Sequence, residues 1–308
     1  MKKIIILLLV FFVCAFARRG AEKQPKAAPK PAAEPMVVLT AVPALEALAK
    51  EILRGTPIEV INPFGNEISL EEFDGICKQF EEEITALALR TAAVINVRSV
   101  IPSEQLFIHV RHRNIRVVEI DCATPLSPIL TSLGKIRRSG EVLPFVWTSL
   151  SNSIRMAEVL QSDLSALFPE YAKTISANLT DFKIRANTLR NEFVAEFLKF
   201  DNFNAVILSR DFDYFLKDID LFVIESFPPE YDWTAQHSAQ FAKILEEQPV
   251  GLIINRWETG SPAEEIMQKF SVKTAVLNTG LPAEAVFENG FLELWKKNAS
   301  AILSAIRE

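Results

Sequence analysis

The chain is short of the residues and motifs that most catalytic chemistry needs. Only three histidines occur in 308 residues, and none stands beside a candidate nucleophile, which leaves little for proton transfer near neutral pH. No GxGxxG follows a strand, and there is no Walker lysine loop, GxSxG elbow or HExxH pair. Dinucleotide, triphosphate, serine-hydrolase and zincin chemistry therefore lack support, no cofactor is expected, and an enzyme is not the expected class. No short repeat recurs. Long apolar runs are missing too: Ile4–Val13 is unbroken but too short to cross a bilayer as a helix.

What that run does fit is a secretory h-region. Lys2 and Lys3 precede it and Ala15-Phe16-Ala17 supplies a small-x-small cleavage pattern, so residues 1–17 read as a signal peptide. Val13 stands where a lipobox needs Gly, Ala or Ser, which disfavours lipid anchoring at Cys14. Residues 18–35 are Ala, Pro and charge without a large apolar side chain; they cannot bury enough surface to offset chain entropy and read as a disordered tether. The expected product is exported, in the periplasm or an equivalent extracytoplasmic space.

Seven of the 33 bases and two of the 39 acids precede residue 36, leaving 26 bases against 37 acids, a net charge of −11 for the remainder. So acidic a body is a poor partner for nucleic acid, whose affinity rests on phosphate neutralisation. Cys77 and Cys122 survive cleavage, and their spacing neither demands nor forbids a disulfide in an oxidising compartment.

From Met36 onward, short β-branched runs alternate with helical patterns, the mark of an α/β fold with parallel sheets and crossover helices. Strands are expected at 37–40, 58–61, 93–97 and 117–120, with helices near 44–53, 70–89 and 102–112. A similar set follows, with strands at 205–208, 221–225, 250–254 and 274–277 and helices near 234–247, 262–270 and 287–306. This divides the chain into an N-terminal lobe (36–150), linking helices (151–200) and a C-terminal lobe (201–308). After Pro169, apolar residues recur in steps of three and four from Tyr171 to Phe197 without a Gly or Pro, predicting one long rigid helix that permits only small tilts between lobes.

Two lobes, a long linking helix, and Pro144-Phe-Val-Trp147 just before the linking helices resemble the zinc- or manganese-binding branch of the ABC-importer solute-binding proteins. Thr40-Ala-Val-Pro-Ala-Leu45 looks like that family's first strand and helix, and Pro63-Phe-Gly-Asn-Glu-Ile-Ser69 like its Pro-x-Gly-x-Asp-Pro-His loop. Ser209-Arg-Asp-Phe-Asp-Tyr-Phe215 looks like its Ser-His-Asp loop, and Leu277-Asn278 sits where its Leu-Asp closes the site. The resemblance covers nearly all of 36–308 and implies capture of a solute between the lobes for an ABC permease, by a monomer.

In that family three histidines and one carboxylate converge on one ion. Carried over by position, these become Ser69, Phe145, Arg210 and Asn278, none of which retains the expected ligand. Zinc wants deprotonated nitrogen, sulfur or carboxylate donors, and a guanidinium stays protonated; residues 121–143, where the family carries a histidine-rich loop, hold no histidine. The implied metal site is therefore expected to be lost. Each replacement also has a local role on offer: Ser69 with Glu72 as a capping box, Phe145 as packing, Asn278 as a turn residue. Arg210 has two fates. It pairs with Asp211, Asp213, Glu67 or Glu225 and locks the cleft, the reading favoured by the abundance of acids nearby, or it presents its fork to an incoming anion.

His109 and His112 share a helix face but read as a solvated surface, and His237 as a lone surface residue. Trp257 with Glu258, and the loop Phe227–Trp233, are the better candidates for contact with a partner, since loops at strand ends form the rim of such clefts. Two functions stay open: a binding protein delivering some ligand other than the metal to a permease, or a pseudo-receptor that keeps the fold as an interaction or assembly protein.

Overall fold

The computed structural model describes residues 36–308 except 66–67, 139, 201–203, 259, 261–262, 282–286 and 308. The expected signal peptide and tether, and Glu67, lie outside the described residues.

The first lobe runs β1 (Val37–Thr40), α1 (Pro43–Leu53), β2 (Glu59–Ile61), α2 (Ile76–Gln79), α3 (Glu81–Ala88), β3 (Thr91–Asn96), α4 (Leu106–Arg113) and β4 (Val118–Asp121), followed by a small hairpin, β5 (Arg137–Arg138) and β6 (Glu141–Val142). The four strands pair in parallel in the order β2-β1-β3-β4. All six residues of β3 are buried, as a central parallel strand covered on both faces requires. Pro43 opens α1 at a position where a missing N–H costs nothing. The expected helix over 70–89 is instead a 3-10 turn at Leu70–Glu72 and the short α2 and α3, because Gly75 interrupts the pattern. The β5–β6 hairpin was not expected: two-residue strands are too short to show alternation.

Two antiparallel helices link the lobes, α5 (Leu150–Leu167) and α6 (Ala172–Phe197), with a 3-10 turn at Pro169–Tyr171 between them. The 26 residues of α6 span about 39 Å. Its first half buries Ile175 and Phe182 in the core of the first lobe, and its second half buries Ala186 and Phe197 in the core of the other. Asn178 Nδ2 donates to the carbonyls of Ile52 (2.9 Å) and Arg54 (2.8 Å), satisfying the open end of α1 from the spine. Arg185 adds bonds to Glu51 (2.6 Å) and Asp181 (3.0 Å).

The second lobe runs β7 (Asn204–Ile207), α7 (Asp213–Asp218), β8 (Phe222–Ser226), α8 (Ala235–Glu247), β9 (Leu252–Asn255), α9 (Ala263–Met267), β10 (Lys273–Val276) and α10 (Leu292–Arg307). Its strands pair in parallel as β10-β9-β7-β8, which is the first lobe's order read from the other edge. In each sheet the chain direction of strand addition reverses beside the first strand, between β1 and β3 and between β7 and β9. Open α/β sheets gather ligands at the carboxyl ends of the strands there. Tyr214, Leu281, Phe291 and Leu294 from the second half of the sequence belong to the first lobe's core, so both lobes and the spine form one compact unit. No helix among the described residues is long and apolar enough to cross a membrane.

Candidate functional site

At the switch point of the second lobe, the chain leaves β7 through Ser209-Arg210-Asp211 and leaves β9 through Arg256. Ser209 Oγ accepts the Asp211 N–H at 3.3 Å, capping the 3-10 turn Arg210–Phe212 and turning Asp211 toward β9. Asn255 Oδ1 accepts the Arg256 N–H at 2.8 Å. The two loops are joined by Arg256 Nη1 donating to Asp211 Oδ2 at 3.2 Å.

Arg256 does more than pair with Asp211. Its Nη2 donates to the Leu281 carbonyl at 2.5 Å, and its guanidinium lies 5.4 Å from the Phe145 ring centroid and 5.0 Å from that of Trp257. Its side chain is 20% exposed and that of Asp211 23%, so the pair is only partly open to water. Phe145 is 1% exposed and meets Trp147 edge to face at 5.6 Å. Trp147 Nε1 in turn donates to the Thr279 carbonyl at 2.7 Å, a buried bond between the segment ahead of α5 and the loop after β10. A guanidinium, the three aromatic side chains Phe145, Trp147 and Trp257, a carboxylate and two carbonyls thus interlock where the lobes meet.

The residues expected from sequence fall out differently. Ser69 sits in a capping box, its N–H donating to the Glu72 carboxylate at 2.6 Å, and this bond holds the Glu72 carboxyl below its ordinary range. Asn278 is a turn residue: Oδ1 accepts the Gly280 N–H at 2.5 Å, and its backbone exchanges two 2.8 Å bonds with the side chain of Asn298. Gly280 holds φ +77°, and a Cβ there would lie 2.9 Å from Phe287. Arg210 is exposed and makes no ion pair with Asp211, Asp213 or Glu225, so the expected pairing with those three acids is not found; Glu67, the fourth partner expected, lies outside the described residues. Asp211 is taken by Arg256, and Asp213 by Arg138 at 3.1 Å. Glu225 Oε1 accepts its neighbour's Ser226 N–H at 2.9 Å. Burial raises the Asp213 carboxyl, opposed chiefly by Arg138. The arginine that matters at the junction is Arg256, which sequence reasoning passed over while naming Trp257 beside it.

The other candidates are local. His237 caps α8 by reciprocal bonds with Thr234. Phe227, Trp233 and Phe241 form one cluster with centroids 5.1–5.5 Å apart, and Trp233 Nε1 bonds to the Pro228 carbonyl, so most of that loop is internal packing. Tyr231 and Trp257 remain exposed at 77% and 45% and meet edge to face at 6.2 Å. Cys77 and Cys122 are buried free thiols. No group of three or more His, Cys, Asp or Glu side chains among the described residues is arranged to hold a metal ion.

The sequence profile of zinc-uptake complex component A, periplasmic, matches residues 71–305. The chain belongs to that family. The zinc-uptake component A family comprises extracytoplasmic solute-binding proteins that work with an ABC permease, which fits the two parallel-sheet lobes on one spine. No curated protein matches the sequence significantly. Among solved structures, the laminin-binding protein of Streptococcus agalactiae, described as bifunctional with adhesin and metal-transporting activity, aligns at TM-score 0.69 and 17% identity over 89% of this chain and all of its own. A mutant of FpvC from Pseudomonas aeruginosa aligns at 0.68 and 18% identity over 88% of this chain and 99% of its own. The zinc-bound ZnuA-like domain of AdcA from Streptococcus pneumoniae gives 0.64 and 16% over 88% and 98%. At these identities the likeness is one of fold.

Proposed function

We propose that this protein is an extracytoplasmic member of the zinc-uptake family in which an internal cation, the Arg256 guanidinium, has taken the place of a bound one, so that it does not carry zinc or manganese between its lobes. The observation that carries this is the set of Arg256 contacts: Asp211, the Leu281 carbonyl and the faces of Phe145 and Trp257. A divalent ion needs about four lone-pair donors. Phe145 offers none, Asn278 Oδ1 is engaged by Gly280, and Asp211 already faces a permanent positive charge that would repel a second cation. The residues present do not fit the metal.

The same geometry favours the pseudo-receptor over capture of a substitute ligand at that position. Capture requires room between the lobes and some freedom to close on the guest. Here Phe145 and Leu281 are both 1% exposed, Trp147 bonds across the junction, and Tyr214 OH takes the Ile136 N–H at 3.0 Å and donates to the Leu143 carbonyl at 3.1 Å. The protein then acts through a fixed outer surface, on which Tyr231 and Trp257 form an exposed aromatic pair. Elemental analysis of protein purified from its exporting host tests the reading. Zinc and manganese well below one equivalent are expected; one equivalent of either, retained through dialysis, overturns it.

A further inference from the structure

A cavity of about 510 Å³, whose lining does not include Arg256, lies between the start of α5, the second half of α6 and the end of α7. Arg155, Arg190 and Lys217 line it, one from each helix. None of the three forms an ion pair with a described carboxylate, although the body is strongly acidic. Arg155 Nη1 donates to the Ser132 carbonyl at 3.2 Å and Arg190 Nη1 to Ser151 Oγ at 3.4 Å. Both acceptors are neutral, and each leaves further N–H groups of the guanidinium for another partner.

Two carboxylates share the lining. Asp218 Oδ2 accepts the Ser151 N–H at 3.2 Å, so its charge is set against the amino end of α5. Asp220 is exposed, in a left-handed turn at φ 52°. Three cations thus face a cavity in which one acid is already committed and the other sits at the rim. The volume falls within the roughly 300–1,000 Å³ of small-molecule sites and far exceeds the ~30 Å³ share of one water. Guanidinium and ammonium groups with spare donors bind phosphate and carboxylate oxygens by charge-assisted bonds.

We infer that this cavity binds a small organic oxyanion, a phosphate or carboxylate on a larger polar body, held by Arg190 and Lys217 with Arg155 at its side. Such a ligand touches both linking helices and the first helix of the second lobe, and binding it fixes that lobe on its spine. The inference does not depend on what occupies the Arg256 junction. Calorimetric titration of the whole protein with citrate and with glucose 6-phosphate, and with glucose as the uncharged control, tests it. At least one anionic probe is expected to saturate at one equivalent, to weaken about tenfold in Arg190→Ala and in Lys217→Ala, and to tighten in Asp220→Asn, which removes a repelling charge from a turn that asparagine tolerates. Glucose is expected to give no saturable heat. Failure of both anions to saturate overturns the inference, as does binding that all three substitutions leave unchanged. Arg256→Ala is expected to leave this binding intact, which separates it from the fate of the junction.

Discussion

Arg256→Ala is the perturbation that measures the junction. The substitution removes the bonds to Asp211 Oδ2 (3.2 Å) and the Leu281 carbonyl (2.5 Å), and two guanidinium–ring contacts. Hydrogen bonds with a charged partner contribute about 1.5–3 kcal/mol each. The Asp211 side chain keeps 23% of its surface exposed, so water recovers part of its solvation once the arginine is gone. A net loss of about 2–3 kcal/mol follows, which for a protein of this size is a fall in Tm of roughly 5–10 °C. Arg210→Ala, at an exposed side chain without an ion pair among the described residues, is expected to stay within about 0.5 kcal/mol of wild type. Thermal unfolding of both variants, with Asp211→Ala and the double Arg256→Ala/Asp211→Ala to isolate the pair, reads the difference directly. If Arg256→Ala melts with the wild type while Arg210→Ala does not, the cation at the junction has been misidentified.

Three further outcomes are expected. Glu104 is 1% exposed, its Oε1 accepts the Leu106 N–H at 2.7 Å, and its Oε2 has no hydrogen-bond partner among the described residues. Burial pushes its carboxyl up to about 7, with Glu119 and Asp121 adding to the rise and Arg98 opposing it, and the nearby Cys77 thiol is itself raised by burial and by Glu104. A raised carboxyl favours the fold fully below the unfolded value of 4.5 and loses that contribution as pH rises through 7. Glu104→Gln should therefore gain about 3 kcal/mol relative to wild type between pH 4.5 and pH 8 in denaturant titrations, and a constant difference would refute this. Burial holds the Cys77 thiol up at about 12 and the Cys122 thiol well above its ordinary value, so both should resist a thiol reagent at pH 8 until the protein unfolds; rapid labelling of native protein would contradict the packing. Trp147→Phe keeps the ring packing and loses the bond to the Thr279 carbonyl, with an expected cost of about 1–3 kcal/mol; no change in Tm would mean that the carbonyl finds water instead.

The sheets and the spine were legible because their signals are local. β-branched runs bounded by turns marked the eight strands of the two main sheets to within a residue or two, and steps of three and four from Tyr171 to Phe197 marked α6. The caps at Ser69 and the turn at Asn278 were legible for the same reason, each closing on a partner two or three residues away. Arg256 was not, since its partners Asp211, Leu281 and Phe145 lie 45, 25 and 111 positions distant and meet it only after the strand order brings β9 beside β7. Arg210 misled because position within a family loop fixes where a residue enters the fold but not where its side chain goes. A usable signal was present: an arginine immediately after a strand that borders the switch point is placed to reach into the junction.

In this structure the lobe junction holds its own cation, the Arg256 guanidinium. Titration of chelator-stripped protein with zinc in a calorimeter tests it most directly. No saturable binding tighter than about 1 mM is expected at that position. One equivalent of zinc bound with a Kd below about 1 µM, and lost when Asp211 is replaced by alanine, would show that the junction still takes a metal and would contradict the account.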